Sequence, residues 1–506
     1  MRVLCKLIVL FFFSFSFAAH AQTWQWAKQL SGSADLEVRD FSLDKSGNLL
    51  VLGIYNSDFT IASQTVTSIG GRDIYLTKYA SDGTLLWINK AGSTGNEDPF
   101  GVTVDNDNNV YICGGFSLTA SFGSKNITST GNQDIFLAKY KPDGSIVWAK
   151  DLATGTQGDR ALAITHSSNG YLYLTGMFKS SPITFGGSGQ PGGTVAYNVS
   201  ASGQDQWVAK YDTSGSFYWA KQFQTTNSLT VFRSIAVDLD NNLYVGGGFY
   251  GNVTVGSTYT SKGLGDLILF KLNSSTGAVS WVRQGGGTSD DQLNTVKVGP
   301  DNCVYITGYA QATGTLDSTA TKQSSTYATK SNSPDILLAK YSPEGRLLWK
   351  TLNGDAGSDN GYGLAISDNL VFLSGYFCGS VNFNGNTISS GSLSNLDTGF
   401  YVYDTEGNPV TAQSMQGALE ERGQGVGYDG AGNAYIAGYY LSNPLTVGSF
   451  SLTNTAAGKD VFVTKYANPF SAAFTHKQNI LCNGSSTGEL TVTPYFGTYP
   501  YTYAWM

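Results

Sequence analysis

Apolar and polar residues alternate with period two in short runs, and the runs end at Gly, Asn or Asp. FSLDKSGNLLVLGIY, VTVDNDNNVYICGGF, IAVDLDNNLYVGGGF and VGYDGAGNAYIAGYY each read as strand, tight turn, and a strand closing on Gly and an aromatic. Related copies end at Phe178, Tyr309 and Phe377, which makes seven. Between them lies a second phrase: Asp, an apolar run, Lys-Tyr, a Gly turn and Trp, as in DIFLAKYKPDGSIVW. Its leading residues are Asp73, Asp134, Asp205, Asp266, Asp335, Asp397 and Asp460, spaced by 61, 71, 61, 69, 62 and 63. Each unit therefore predicts four strands, a to d, and no stretch carries a helical period.

The ends of the array predict how it closes. The last unit, DVFVTKYANPF, stops before its Trp, whereas the segment TWQWAKQL near the N-terminus matches WAKDL and WAKQF of the interior units. The N-terminal strand is expected to complete the seventh unit and leave no free sheet edge. Radial repetition of four-stranded units predicts an all-β, seven-bladed β-propeller. Trp26, Trp87, Trp148, Trp219, Trp281 and Trp349 share one position on strand d, with Thr411 the exception. A large aromatic repeated in this way predicts packing between blades. Lys78, Lys139, Lys210, Lys271, Lys340 and Lys465 recur on strand c with no evident partner. Over residues 23–466 these phrases resemble the SBBP-type β-propeller repeats of secreted bacterial proteins. That resemblance implies a fold and says little about chemistry.

Residues 1–21 read as an export signal: Arg2 and Lys6, an apolar run from Leu7 to Phe17, and Ala19-His20-Ala21 as the cleavage site. The propeller is expected over 22–470. In the last segment, 471–506, Cys482, Gly484, Gly488, Val492, Gly497, Pro500, Tyr501, Tyr503 and Trp505 resemble the opening of a SprB-type repeat. These modules form arrays in surface adhesins of gliding Bacteroidetes. The match implies the start of a small β-sandwich-like module, type IX export, and further chain beyond Met506.

Composition narrows the partners. The 506 residues carry a net charge of −7, or −9 without Arg2 and Lys6, and only 30 are basic. This argues against nucleic acid. No segment after the leader is long and apolar enough for a membrane helix. Cys113, Cys303 and Cys378 fall in separate units and Cys482 lies beyond them, so the first three are expected to be buried and unpaired.

No catalytic set stands out. After the leader the histidines are His166 and His476, which leaves little for His-based nucleophilic chemistry. The protease-like phrase at Asp212 falls in a c–d turn, where Asp and Gly are ordinary. The a–b turns hold Asp105, Asp107 and Asn109, or Asp238 and Asp240, which read as hairpin turns with a weak alternative as Ca²⁺ ligands; no other cofactor is expected. The leading Asp residues are expected to accept loop N–H groups. Length variation gathers in the b–c and d–a loops, which share one face; the largest insertions, in blades three and five, point to a binding face. On that face Glu37, Glu97, Asp98, Asp159, Asp290, Asp291, Asp359, Glu420 and Glu421 precede strand a and are expected to ring the channel mouth. Arg39, Arg160 and Arg233 sit nearby at one aligned position, which Phe100 and Tyr362 occupy in other blades. Such a mouth suits a cation, a basic partner or a sugar. The favoured function is non-enzymatic recognition or adhesion at the outer cell surface, of an extracellular glycan or surface protein. The alternatives are a polysaccharide-degrading enzyme and a structural spacer.

Overall fold

The computed structural model describes residues 23–467 apart from 33–34, 318–324, 391 and 455–457, together with two strands, Ser471–Gln478 and Glu489–Tyr495. The proposed leader and most of the residues that resemble a SprB repeat lie outside the described residues.

Seven antiparallel sheets form a closed ring. Strands a of successive blades are neighbours all the way round, and that of blade seven (Glu421–Tyr428) meets that of blade one (Leu36–Leu43). The N-terminal strand Thr23–Gly32 pairs with Asp460–Ala467 of blade seven, with Trp26 opposite Lys465. The predicted closure is thus made by strand pairing, and it leaves strand c of blade seven no open edge.

Strands b and c do not alternate as period two predicts. Leu49–Tyr55 and Asp73–Tyr79 are buried at every position. The reason is that each blade is covered on both faces by its neighbours. One apolar cluster joins Leu30 and Tyr435 of blade seven to Val38 and Tyr75 of blade one, so the core lies between blades.

The repeated Lys and Trp face each other across the c–d ladder, as in Lys78 opposite Trp87 and Lys340 opposite Trp349. Both donate to one carbonyl in the c–d turn of the next blade. Trp87 Nε1 and Lys78 Nζ reach Pro142 O at 3.0 and 3.1 Å; Trp349 and Lys340 reach Thr405 O at 3.0 and 2.9 Å. Lys78 also pairs with Asp44 at 2.8 Å and Lys340 with Asp301 at 2.8 Å. The tryptophan is therefore an inter-blade clamp and the lysine is its second jaw.

The four-strand unit was incomplete. The b–c segment of most blades folds into a short hairpin that pairs with strand d of the preceding blade, making six-stranded sheets. In blade two, Thr119–Phe122 places Phe122 opposite Ala91 of blade one. The blade-three insertion is this hairpin lengthened, Ile183–Gly186 and Thr194–Tyr197, with Ile183 and Phe185 fully buried. Its length covers an outer strand, away from the channel. Cys113 and Cys378 are buried and free as expected, while Cys303 is free but only half-buried.

Candidate functional site

Every strand a carries a β-bulge at the same place. The ladder slips between Val38 and Asp40, Pro99 and Gly101, Ala161 and Ala163, Phe232 and Ser234, Leu293 and Thr295, Gly361 and Gly363, and Gly423 and Gly425. The extra residues are Arg39, Phe100, Leu162, Arg233, Asn294, Tyr362 and Gln424. All seven line one central channel of about 540 Å³. Bulges re-aim a side chain, and here they aim one residue from each blade into a common space.

The glycine that closes each strand-b phrase makes the bulge possible. Gly53, Gly114 and Gly247 face it, and a Cβ there would stand 2.0, 2.1 and 2.0 Å from the carbonyl oxygen of Glu37, Asp98 and Val231. Only a residue without a side chain lets the two backbones come this close.

Most of the acids expected at the mouth turn away from it. Glu97, Asp159, Asp291, Asp359 and Glu421 stand three residues before the bulge and are almost fully buried. They accept N–H groups from the adjoining loops. Glu97 binds Ser93 N (2.8 Å), Asp159 Lys179 N (2.8 Å), Asp291 Gln311 N (2.8 Å), Asp359 Cys378 N (2.9 Å) and Glu421 Ser442 N (3.2 Å). Burial pushes all five carboxyls up, Asp359 to about 7. Their role is to tie the d–a turn to the b–c loop. The leading Asp residues anchor loops in the same way, as in Asp73 with Ile69 N (2.7 Å) and Asp205 with Thr225 N (2.8 Å). The ring of carboxylates anticipated at the mouth is thus largely a ring of loop anchors behind it.

The remaining acids are held by neighbours. Asp98 is buried against Arg72 (3.1 Å), and Asp290 accepts from Tyr250 OH (2.8 Å) and Tyr309 OH (2.5 Å). Glu420 takes Arg422 (2.8 Å) and Tyr439 OH (2.8 Å). Glu37 lies on the channel wall between Arg39 (3.2 Å) and Lys459 (2.6 Å). Burial works to raise the Glu37 carboxyl, but Lys459 and Arg39 more than offset it and hold it below its usual range.

The cations hold the mouth. Arg39, Arg233 and Arg422 line the channel at this end, with Lys297 deeper in. Arg39 and Arg233 share the bulge position, as expected. Arg160 does not: it stands two residues earlier, where blade seven has Arg422. The Arg39 and Arg160 guanidiniums both lie 5.8 Å from the Phe100 ring centre. Burial, with Arg72 and Arg39 close by, outweighs the nearby Asp98 and lowers the Arg160 guanidinium below its usual value. Arg422 packs 4.6 Å above Tyr376, whose ring lies 6.0 Å from Tyr362. Arg422, Leu162, Asn294, Gln424, Asp40 and Lys297 were not anticipated. The signal for the bulge residues was the strand-b glycine, repeated in every unit.

The a–b turns are closed by their own groups. Asp105 accepts Asp107 N, Asn109 N, Asn109 Nδ2 and Tyr111 OH, all at 2.9 Å, and Lys139 approaches at 3.7 Å. Asp238 repeats this with Asn242 N (2.7 Å), Tyr244 OH (2.9 Å) and Lys271 (3.6 Å), while Asp240 accepts from Asn302 (3.2 Å). A lysine ammonium stands beside Asp105 and Asp238, and the N–H and O–H groups of their own hairpins occupy both carboxylates. Among the described residues no three His, Cys, Asp or Glu side chains converge as metal ligands. No helix among them is long and apolar enough to cross a membrane.

Residues 475–506 match the SprB repeat family. The chain is 25% identical over 449 residues to an uncharacterized WD repeat-containing protein, L264, of Acanthamoeba polyphaga mimivirus, covering 73% of this chain and 32% of the relative. It is 31% identical over 151 residues to the regulatory protein FlaEY of Caulobacter vibrioides, covering 28% of this chain and 16% of that protein. The chain thus spans a third or less of the curated relatives it matches. Among solved structures it is similar to an acylaminoacyl peptidase of Pyrococcus horikoshii (9% identity, 89% of this chain and 56% of that one, TM-score 0.41). It is also similar to YCF48 bound to D1 peptide (11%, 89% and 97%, TM-score 0.38). At these scores the structural likenesses carry no argument about activity.

Proposed function

We propose that the chain is a non-enzymatic recognition protein of the outer cell surface, with the propeller as a binding head and the channel mouth as its site. The observation that supports this best is the set of seven aligned bulges. The scaffold repeats, but the bulged side chains are two arginines, Phe, Leu, Asn, Tyr and Gln. A repeated frame that presents unlike side chains to one concavity is the arrangement of a recognition site. The SprB repeat match at residues 475–506 supports a surface setting, and the leader-like residues 1–21 support export. The SBBP resemblance agrees with both. A hydrolase would need two free carboxyls converging in the channel. The wall offers Glu37, held by two cations, and Asp40, which accepts Val102 N at 2.7 Å.

The test is binding of the purified full chain to bacterial and host cell surfaces and to a glycan panel. A paired assay for new reducing ends reports turnover. Saturable binding without turnover, weakened tenfold or more by Phe100→Ala with Tyr362→Ala, is the expected result. Turnover would make the propeller an enzyme, and no binding to any surface would make it a spacer.

A further inference from the structure

Building on the reading of the mouth as a binding site, we infer that its ligand is anionic: a polysaccharide segment whose sugar rings carry carboxylate or sulfate groups. The sign of the charge is the first ground. The chain as a whole is acidic, at −7. Yet the channel wall carries Arg39, Arg233, Lys297 and Arg422 against only Glu37 and Asp40. A concave site of one sign within low-dielectric walls concentrates ions of the other sign.

Unspent donors are the second ground. Among the described residues no carboxylate lies within salt-bridge distance of Arg233, Lys297 or Arg160. A guanidinium left in this state favours a planar anion that can accept two parallel N–H bonds. The acids that would have neutralised it are turned under the loops instead.

The aromatic surface chooses the sugar over other polyanions. Phe100 lies between Arg39 and Arg160, and Tyr362 beside Tyr376 and Arg422. Apolar ring faces alternate with guanidiniums around the mouth, and the C–H face of an acidic sugar with its equatorial carboxylate presents the same alternation. A volume of about 540 Å³ admits a few rings and excludes a folded domain.

Calorimetry of the full chain with three probes tests this: an oligogalacturonate, a neutral cello-oligosaccharide of equal length, and a hexaglutamate peptide. The oligogalacturonate is expected to bind at least tenfold more tightly than either, and to weaken several-fold as salt rises from 50 to 500 mM, which shortens the Debye length about threefold. Arg233→Gln is expected to cost tenfold or more, Arg233→Lys less, and Arg346→Gln on the opposite face nothing. Circular dichroism melts establish that each variant is folded. Tighter binding of the neutral sugar, lost in Tyr362→Ala, would overturn the anionic ligand and leave the recognition site standing. Preference for hexaglutamate, or oligogalacturonate binding indifferent to Arg233→Gln, would overturn it too. Binding of none of the three overturns the inference; the cell-surface assay then decides the broader reading separately.

Discussion

At the scale of the residue, Gly114 shows how one missing side chain builds the site. It faces the bulge of blade two, and a Cβ would press to 2.1 Å of the Asp98 carbonyl oxygen. Gly114→Ala must therefore flatten the bulge or push the strands apart. The expected cost is about 2–3 kcal/mol, read as a lower denaturant midpoint, with loss of whatever binding Phe100 supports. A variant as stable as the parent would mean that the glycine does not set the bulge. The glycine was visible in every repeat, and so was the position of Arg39, Phe100, Arg233 and Tyr362. The direction of the acids was not. Nine carboxylates gather at the start of the inner strands, and only the bulge fixes their register: Glu37 stands two residues before it and stays on the channel, whereas Glu97 stands three before it and turns under Ser93 N. Only the fold supplies the N–H groups that decide it.

At the scale of the element, the joint between blades is the repeating unit of stability. Trp87 Nε1 and Lys78 Nζ share Pro142 O, while the indole covers Gly144, whose positive φ of 86° shapes the turn. Trp87→Phe keeps most of the apolar contact and removes the N–H donor. It is expected to destabilise by about 1 kcal/mol, measurable in urea melts; no change would leave Lys78 as the whole clamp. The ring closure is a stronger test of the same joint. Removing residues 23–32 exposes strand Asp460–Ala467 and the blade-one hairpin, which pairs with Ser31 and Gly32. Such a chain is expected to melt well below the parent and to associate with rising concentration, seen by light scattering. Both the closure and the tryptophan joint were legible, because long aligned phrases carry them. The b–c hairpins were not. Strands of three residues, such as Phe59–Ile61 and Gln64–Val66, are too short to show a period, and they form because an outer strand offers them a ladder.

At the scale of the whole molecule, the loop anchors give stability a pH dependence of unusual sign. The leading Asp of one blade and the anchor acid of the next come together at several joints: Asp335 with Asp359, and Asp397 with Glu421. Burial pushes Asp335 to about 6 and Asp359 to about 7. Burial, with the repulsion of its partner, raises Glu421 as well. Asp151, half-buried near Asp134 and Asp159, is pushed by desolvation and their charge to about 8. Each folded value exceeds the value of about 4 in an unfolded chain. Between about pH 4 and 8 the native state therefore holds protons that the unfolded state has released. The stabilisation from these groups is complete below that window and is lost as pH rises through it. The melting temperature is expected to be higher at pH 5 than at pH 8.5. Glu421→Gln keeps an acceptor for Ser442 N and gives Asp397 a permanent N–H donor. It is expected to stabilise at pH 8.5 by on the order of 1 kcal/mol and to change little at pH 5, so its melting profile is flatter. A wild-type profile that rises from pH 5 to pH 8.5 would mean that the paired carboxyls ionise freely, and that the loops they hold are open to water.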